Sequence, residues 1–266
     1  MSAQLQRLSD VRLGDVRAFW EQNPLCASAI PHPLGTAEYF RYYDALREEN
    51  EPVQFARELH EYDRFAGKRV LDVGSGNGYV LSRYAAAGAD VYGVDITRTG
   101  IGLCRSRFAL SGLRGHFTVG SAEDLPFPSE SFDLVCSMGV LHHTPRTERA
   151  VREVHRVLRP GGRLIVMFYH RNSFQYRVLF PVRRFLAGKD IQQSVNEVDG
   201  VGNPKGDVYS RAELKALLSG FTDLDVFAGL LPWHRLGGFA RVIPPPLRTW
   251  ADRRAGWFLY AKGVRV

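Results

Sequence analysis

The sequence VLDVGSGNGY, residues 70–79, brings an apolar run directly into three glycines at alternate positions. An apolar pattern of helical period follows at once, so the stretch predicts a strand, a tight loop and a helix. Glycine has no Cβ atom, adopts positive φ and lets a ligand lie against bare main chain. The loop therefore predicts a site for a nucleotide-like ligand.

Two classes of ligand bind such a loop, and the spacing of the glycines separates them. The dinucleotide pattern G-x-G-x-x-G needs its third glycine beside a pyrophosphate, but Tyr79 stands in that position and Gly78 comes one residue early. The pattern is instead D-x-G-x-G-x-G, which begins at Asp72. It resembles the first motif of the class I S-adenosylmethionine-dependent methyltransferases, whose methyl donor carries an adenosine and an amino acid but no phosphate.

A second acidic residue ends the next predicted strand, residues 90–95. Asp95 lies 17 residues beyond Gly78, about the interval at which a βαβ unit returns to the same edge of the sheet. A carboxylate at that edge accepts hydrogen bonds from both hydroxyls of a ribose. The alternative is that Asp95 caps the helix that starts near Thr97.

Residues 120–137, GSAEDLPFPSESFDLVCS, are similar to the signature GDAExLPFPDxSFDxV of the type-11 group of these methyltransferases. The resemblance implies that the adenine meets the main chain at Ala122 and an acidic side chain. Ser121 stands where the family usually has Asp. The contact to the adenine amine therefore falls to Glu123 or to Ser121 itself.

Two more segments match the family in the expected order. Residues 138–145, MGVLHHTP, resemble the xxxLHH element at the end of the fourth strand, and residues 158–162, LRPGG, resemble the segment before the fifth strand. Pro-Gly-Gly stops a helix and forms a turn, and the apolar run after it is typical of a parallel strand that is covered on both faces. Four ordered matches over residues 69–169 support the resemblance.

The resemblance implies an α/β, Rossmann-like class I methyltransferase fold, with a seven-stranded, mostly parallel sheet whose last strand is antiparallel. Residues 65–266 would form this domain, with lid insertions at about 170–208 and 229–253, and residues 1–64 a helical N-terminal extension. It also implies S-adenosyl-L-methionine as donor, S-adenosyl-L-homocysteine as product and a small-molecule methyl acceptor. The donor-binding residues that it implies are Asp72, Gly74, Ser75, Gly76, Asn77, Gly78, Asp95, Ile96, Ser121, Ala122, Glu123 and Met138.

Methyl transfer from a sulfonium is a one-step displacement, so the main tasks of the protein are alignment and the exclusion of water. An alcohol acceptor also needs a base that works near neutral pH. The candidates for this base are His142, His143, His170 and Tyr39. Because neighbouring side chains of an extended segment point to opposite faces, we expect one of the adjacent histidines to order the loop and the other to face the acceptor. We expect no metal site, since no further ligand stands at a suitable spacing.

The aromatic residues of the N-terminal extension allow two interpretations. Tyr39, Phe40 and Tyr43 recur on one face of a predicted helix that Thr36 could cap. An aromatic stripe usually packs a helix onto its neighbour. The same stripe would also make a roof over the active site, where aromatic faces suit a sulfonium cation.

Composition restricts the classes of function. The chain has 266 residues, 45% of them hydrophobic and 24% charged, which is typical of a globular protein with a substantial core. Its net charge of +7 favours anionic partners, but the scattered Lys and Arg argue against a dedicated nucleic-acid groove. Binding or methylation of RNA or anionic lipid and donor binding without catalysis are the competing hypotheses. The basic segment 171–189 is compatible with peripheral membrane contact, a lid or plain packing.

The cysteines and the N-terminus bear on the cellular location. Cys26, Cys104 and Cys136 lie far apart and form no C-x-x-C pair, which argues against a disulfide framework or a zinc ribbon. The first ten residues lack an apolar core, and no stretch of eighteen uncharged apolar residues occurs. We therefore expect a cytoplasmic protein.

Overall fold

The computed structural model describes residues 11–25, 27–179, 201–231, 233 and 242–266. Several sequence predictions fall wholly or partly outside these residues, including the first ten residues of the predicted N-terminal extension. Cys26, most of the basic segment 171–189 and the middle of each predicted insertion lie there. None of the helices in the described ranges is long and apolar enough to cross a membrane.

Within the described residues, eight strands form one sheet. They are β1 (Arg69–Val73), β2 (Asp90–Asp95), β3 (His116–Val119), β4 (Phe132–Met138), β5 (Leu158–His170), β6 (Val208–Tyr209), β7 (Phe221–Gly229) and β8 (Phe258–Arg265). The α-helices are α1 (Leu13–Gln22), α2 (Ala37–Asn50), α3 (Val53–His60), α4 (Tyr79–Ala86), α5 (Arg98–Leu110), α6 (Thr147–Val157), α7 (Arg211–Leu217) and α8 (Pro245–Ala255). Short 3-10 helices at Ala27–Ala29, Tyr62–Phe65 and Leu141–His143 and a π-helical turn at Gln175–Leu179 complete the described structure.

The strand order is β3-β2-β1-β4-β5-β8-β7, with β6 paired to the end of β5. Strands β1 to β5 pair in parallel, and β8 runs antiparallel between β5 and β7. This order confirms the predicted Rossmann-like α/β fold and its antiparallel last strand. The two-residue strand β6, which pairs Val208 with Tyr169, is an addition to the seven strands that the sequence predicts.

The alternation of side chains along β1 divides the core into two layers. Leu71 and its partner Val135 lie in one cluster, together with the apolar face of α6. Val70 and its partner Leu134 lie in the other, together with aromatic residues of α2 and α4. Since both faces of the parallel strands are covered, β1 is buried at four of its five positions, and Asp72 is the one of these four that is not apolar. This one buried carboxyl is therefore a candidate for function.

The segment before β5 differs from the predicted turn. Helix α6 ends at Val157 as expected, but the LRPGG residues continue directly into the strand, which begins at Leu158. The pairing with β4 shifts in register between Phe132 and Leu134, and Gly161 has a φ of 75°. Between these two pairs, β5 has more residues than β4, and the additional residues of β5 form a bulge. A β-bulge therefore replaces the predicted turn.

The carboxyl ends of β1, β2 and β4 meet at one edge of the sheet. The register pairs Val73 with Val94, so the glycine loop starts beside Asp95. The main-chain N–H groups of Gly74 and Ser75 both donate to the carbonyl of Val94, at 2.7 and 3.1 Å. The fold thus brings together the two motifs that the sequence analysis paired.

Candidate functional site

A cavity of about 480 Å³ lies at this edge of the sheet. Its floor is the glycine loop and the ends of β1, β2 and β4, and helices α1 and α2 contribute to its walls. Of the residues predicted for the site, twelve line it: Tyr39, Asp72, Gly74, Ser75, Gly76, Asn77, Asp95, Ile96, Ser121, Ala122, Met138 and His143. The other four, Gly78, Glu123, His142 and His170, do not.

The glycines of the loop serve different purposes. Gly76 has a φ of 51°, and a Cβ atom added there would have no neighbour within 4 Å, so this residue leaves open space in the cavity. Gly74 has a φ of 80°, and an added Cβ would lie 2.3 Å from Val140. At Gly78 an added Cβ would lie 2.9 Å from the sulfur of Cys104. Gly78 is therefore explained by close packing of α4 against α5, and Gly76 by access to a ligand.

Asp95 joins the end of β2 to the glycine loop. Its Oδ2 accepts the main-chain N–H of Gly76 at 2.9 Å, and its Oδ1 accepts the N–H and the hydroxyl of Thr97 at 2.9 and 2.6 Å. Thr97, and not Asp95, is the N-cap of α5, since its hydroxyl accepts the N–H of Gly100 at 3.0 Å. A carboxylate has about four acceptor positions, so one remains on Asp95 for a ligand in the cavity.

Asp72 provides a second carboxyl to the cavity, and α2 places a charged pair in the same wall. Arg47 and Glu51 form an ion pair at 3.0 Å, one helical turn apart, and both line the cavity. Burial raises the pKa of Asp72 to about 7, against the opposing effects of a hydrogen bond from Cys136 and of the charge of Arg47. The carboxyl of Asp72 therefore titrates near neutral pH.

The segment after β3 faces the cavity with Ser121 and Ala122 but not with Glu123. The carboxylate of Glu123 accepts the main-chain N–H and the Nε–H of Arg146, each at 2.8 Å, and only 2% of the residue is exposed. Its own N–H donates to the hydroxyl oxygen of Ser121 at 3.1 Å. Glu123 thus holds the segment against the start of α6. Of the two residues proposed for the adenine amine, only Ser121 reaches the cavity.

The adjacent histidines lie on a 3-10 turn, not on the extended segment that we expected. His142 is fully buried between the rings of His143 and Tyr169, at centroid distances of 4.2 and 4.3 Å. This burial lowers the pKa of His142 well below its usual value. His143 lines the cavity, and its Nδ1 lies 2.5 Å from the carbonyl oxygen of Lys205. Since a carbonyl only accepts, the Nδ1 of His143 carries the proton and Nε2 is the basic nitrogen of the neutral ring.

His170 and Tyr39, the other two candidates for a base, have structural contacts. The Nδ1–H of His170 donates to the carbonyl of Gly256 at 2.9 Å, which ties the end of β5 to the segment before β8. Burial lowers the pKa of His170. Tyr39 is 1% exposed and packs against Phe40 and Tyr43 within the core, yet it also lines the cavity. Tyr39 therefore fits both interpretations of the aromatic stripe, since it packs α2 onto the core and also lines the cavity.

Helix α1 is attached directly beside Asp95. The carboxylate of Glu21 accepts the main-chain N–H of Arg98 and of Thr99, each at 2.9 Å, and the hydroxyl of Thr99 at 2.6 Å. The hydroxyl contact is the largest of the effects that lower the pKa of Glu21. The neighbouring Trp20 lines the cavity and sets its ring edge-on to His143 at 5.3 Å. The contacts of Glu21 thus hold α1 over the cavity.

The far end of the cavity is apolar. Its lining there comes from α1, from β5, and from the segments around β7 and β8: Leu13, Val16, Trp20, Met167, Tyr169, Leu230, Leu231, Trp257 and Phe258. Sequence analysis missed most of these residues, as well as Arg47 and Glu51. The spacing of Arg47 was an available signal, because it continues the stripe of Tyr39 and Tyr43 at intervals of four residues.

Within the residues described, no group of three or more His, Cys, Asp or Glu side chains is arranged to hold a metal ion.

Comparisons with known proteins show what the chain is similar to. Residues 71–166 match the family model described as a methyltransferase domain. The chain is 38% identical over 152 residues to a phthiotriol/phenolphthiotriol dimycocerosates methyltransferase of Mycobacterium leprae, a match that covers 51% of this chain and 55% of the relative. It is 45% identical over 98 residues to a fatty-acid O-methyltransferase of Mycolicibacterium smegmatis, with coverage of 36% and 35%. The chain thus spans about half or less of the length of these curated relatives.

A solved structure of an S-adenosylmethionine-dependent methyltransferase from Thermotoga maritima has the same fold. It is 19% identical, with a TM-score of 0.56, and the match covers 94% of this chain and all of that one. At this identity the match is evidence for the fold alone. The family match, the relatives and the strand order together lead to one conclusion: residues 71–166 match a methyltransferase domain, and they lie in a Rossmann-like α/β sheet.

Proposed function

We propose that the protein transfers a methyl group from S-adenosylmethionine to a small molecule with an apolar body. The observation that carries the proposal is the cavity itself, which begins at bare main chain beside Asp95 and ends among apolar side chains. Bound S-adenosylmethionine would supply an activated methyl group on a sulfonium. The residues of this chain would bind the donor, align the acceptor and exclude water.

The residues at the loop end fit an adenosyl group. The space beside Gly76 is free of protein atoms within 4 Å of an added Cβ, and the carboxylate of Asp95 retains one acceptor position. We assign this position to one ribose hydroxyl. The hydroxyl of Ser121 and the main chain at Ala122 would meet the adenine, and Ile96 and Met138 would provide apolar contact.

The charged groups beside the loop fit the amino-acid end of the donor. Asp72 would face the ammonium group and Arg47 the carboxylate. Each would attract the group of opposite charge in a partly dehydrated site, where such contacts are stronger than in water. Asn77 and Ser75 belong to the same wall of the cavity.

The apolar end fits an acceptor with a hydrocarbon or aromatic body. Two of the relatives are named for fatty acids and for phthiotriol or phenolphthiotriol dimycocerosates, which supports an acceptor of this kind. For a hydroxyl acceptor, His143 is the base that we propose, because its Nδ1–H is held by the carbonyl of Lys205 and its Nε2 can accept a proton. His142 and His170 would support the surrounding loop.

The pKa of Asp72 leads to a pH prediction. Its carboxyl ionises only as the pH rises through about 7, and only the ionised form attracts an ammonium group. We therefore expect the dissociation constant for S-adenosylhomocysteine to increase as the pH falls below 7, approaching a factor of about ten per pH unit. Isothermal titration calorimetry between pH 5.5 and 8.5 measures this.

The matched variant for this prediction is Asp72→Asn. It removes the titration but keeps the shape of the side chain, so its dissociation constant should be nearly independent of pH and higher than that of the wild type at pH 8. The other acidic group in the site, Asp95, also has a pKa raised by burial. An undiminished pH dependence in Asp72→Asn would therefore assign the titration to Asp95 or another group.

The contacts of Glu21 lead to a kinetic prediction. Glu21→Ala removes three hydrogen bonds that hold α1 over the cavity. Three hydrogen bonds that each contribute about 1 kcal/mol set an upper limit of roughly 100-fold on the change, and we expect bound S-adenosylhomocysteine to dissociate at least about tenfold faster. Stopped-flow displacement measures the rate. The control is Glu38→Ala, which removes only an exposed ion pair with Arg41 on α2; equal rates in the two variants would contradict the role of α1.

The activity itself is tested by isotope transfer. The protein is incubated with S-adenosylmethionine that carries a deuterated methyl group and with a cell extract, and the products are examined by mass spectrometry. We expect a small, apolar product that carries the deuterated methyl group and that does not form with Asp95→Ala. Labelled RNA or protein without any labelled small molecule would contradict the proposal.

A further inference from the structure

Helix α8, within the second predicted insertion, presents an apolar face to solvent. No residue of this helix is buried. Leu247 and Trp250 are 52% and 57% exposed, and Val242, just before the helix, is 72% exposed. Leu247, Trp250 and Arg254 follow one another at intervals of three and four residues and so share one face of the helix. A large aromatic and two large aliphatic side chains therefore stand in water.

Basic residues accompany this apolar face. Arg253 and Arg254 are exposed, and the guanidinium of Arg254 lies 5.5 Å from the centre of the Trp250 ring. The helix has one acidic residue, Asp252, whose carboxylate accepts the main-chain N–H of Leu231 at 2.8 Å and the indole N–H of Trp233 at 2.9 Å. Since the acid is engaged by the protein, the outer face is apolar and cationic.

The same helix adjoins the apolar end of the cavity. Leu231, which Asp252 holds, lines the cavity. At its carboxyl end α8 passes through Gly256 into Trp257 and Phe258, which also line it. The exposed face of α8 and the apolar end of the cavity are thus formed by the same segment of the chain.

We propose that the outer face of α8 binds the surface of an anionic lipid bilayer. A Trp and aliphatic side chains at the depth of the headgroups, with arginines beside lipid phosphates, is the chemistry of an interfacial helix. A nucleic acid would leave Val242 and Leu247 without an apolar partner. A bilayer accommodates both parts of the surface, and it places the protein where an apolar acceptor would be dissolved. The docking itself does not depend on the proposed methyl transfer.

Vesicle sedimentation with the full chain tests the docking. We expect the wild type to bind vesicles that contain phosphatidylglycerol, to bind pure phosphatidylcholine vesicles weakly, and to lose most of the binding at high salt. Arg253→Gln combined with Arg254→Gln should weaken binding about 10- to 30-fold, since each basic residue near an anionic surface contributes about fivefold or somewhat less. Leu247→Ser combined with Trp250→Ser should also weaken binding at least about tenfold.

The control carries an equivalent pair of changes on distant helices, Leu110→Ser with Arg41→Gln. Leu110 is 58% exposed at the end of α5, and the side chain of Arg41 is 71% exposed on α2. The control should bind vesicles as the wild type does, and all variants should bind S-adenosylhomocysteine equally, which shows that they are folded. Three results would overturn the proposal. The α8 variants could bind vesicles as the control does, the wild type could bind vesicles with and without phosphatidylglycerol equally, or the wild type could bind RNA instead of vesicles.

Discussion

S-Adenosylhomocysteine is expected to bind the Asp95→Ala variant about 100-fold more weakly than the wild type. Two losses add in this variant. The ribose loses an ionised acceptor, a contact that contributes about 1.5–3 kcal/mol. The N–H of Gly76 loses the Oδ2 that now holds it at 2.9 Å, so the loop is no longer ordered for the donor. Calorimetry at pH 8, where Asp72 is ionised, measures the change.

The control for this variant lies on the same strand. Asp90 begins β2 at the opposite edge of the sheet, and its side chain is 48% exposed. Asp90→Ala should bind S-adenosylhomocysteine as the wild type does. The affinity of Asp95→Asn for S-adenosylhomocysteine should lie between the affinities of Asp90→Ala and Asp95→Ala. Its amide oxygen still accepts from Thr97, but its NH₂ group faces the N–H of Gly76, and two donors do not bond to each other. Binding close to wild type in Asp95→Ala would contradict the assignment of this residue.

Gly76→Ala is expected to remove most donor binding while the protein remains folded. The added methyl group meets no protein atom within 4 Å, so the structure gives no steric reason for misfolding. The methyl group occupies space that we assign to the donor, and we expect at least about a 50-fold loss of affinity for S-adenosylhomocysteine, because close approach to bare main chain is lost. Calorimetry measures the affinity, and denaturant unfolding measures stability.

The control separates the backbone cost from the loss of space. Gly67 has a φ of 70°, and an added Cβ there also has no neighbour within 4 Å, but the residue is not in the cavity. Gly67→Ala should cost about 1–2 kcal/mol of folding stability, as Gly76→Ala should, because both place an alanine at positive φ. Only Gly76→Ala should lose donor affinity. Equal affinities in the two variants would show that the donor does not approach Gly76.

The fold was predictable because several local patterns agree with one topology. The strand–glycine loop–helix unit at residues 70–79, the acid at the end of β2 and the order of the later motifs all require parallel strands with their carboxyl ends at one edge. The added strand β6 was not predictable, because two residues carry no periodic pattern. The bulge in β5 was missed for another reason: Pro-Gly-Gly favours a turn, and only the pairing with β4 makes it part of a strand.

The main-chain part of the candidate site was predictable from its motifs. The contacts that its side chains make were less predictable. The sequence shows that Glu123 is close to Ser121, but it does not show that Arg146, which is 23 residues away, donates a hydrogen bond to the carboxylate of Glu123 and forms an ion pair with it. The two adjacent histidines look equivalent until the carbonyl of Lys205 is seen beside His143. Such contacts join distant parts of the chain, so local propensity does not report them.

A crystal structure of the protein with S-adenosylhomocysteine would show where the donor binds. We predict electron density for the adenosyl group against the main chain at Gly74 and Gly76, with a ribose hydroxyl within hydrogen-bonding distance of Asp95 and the adenine beside Ser121 and Ala122. Density at any other place on the molecule, or a ribose without contact to Asp95, would contradict it.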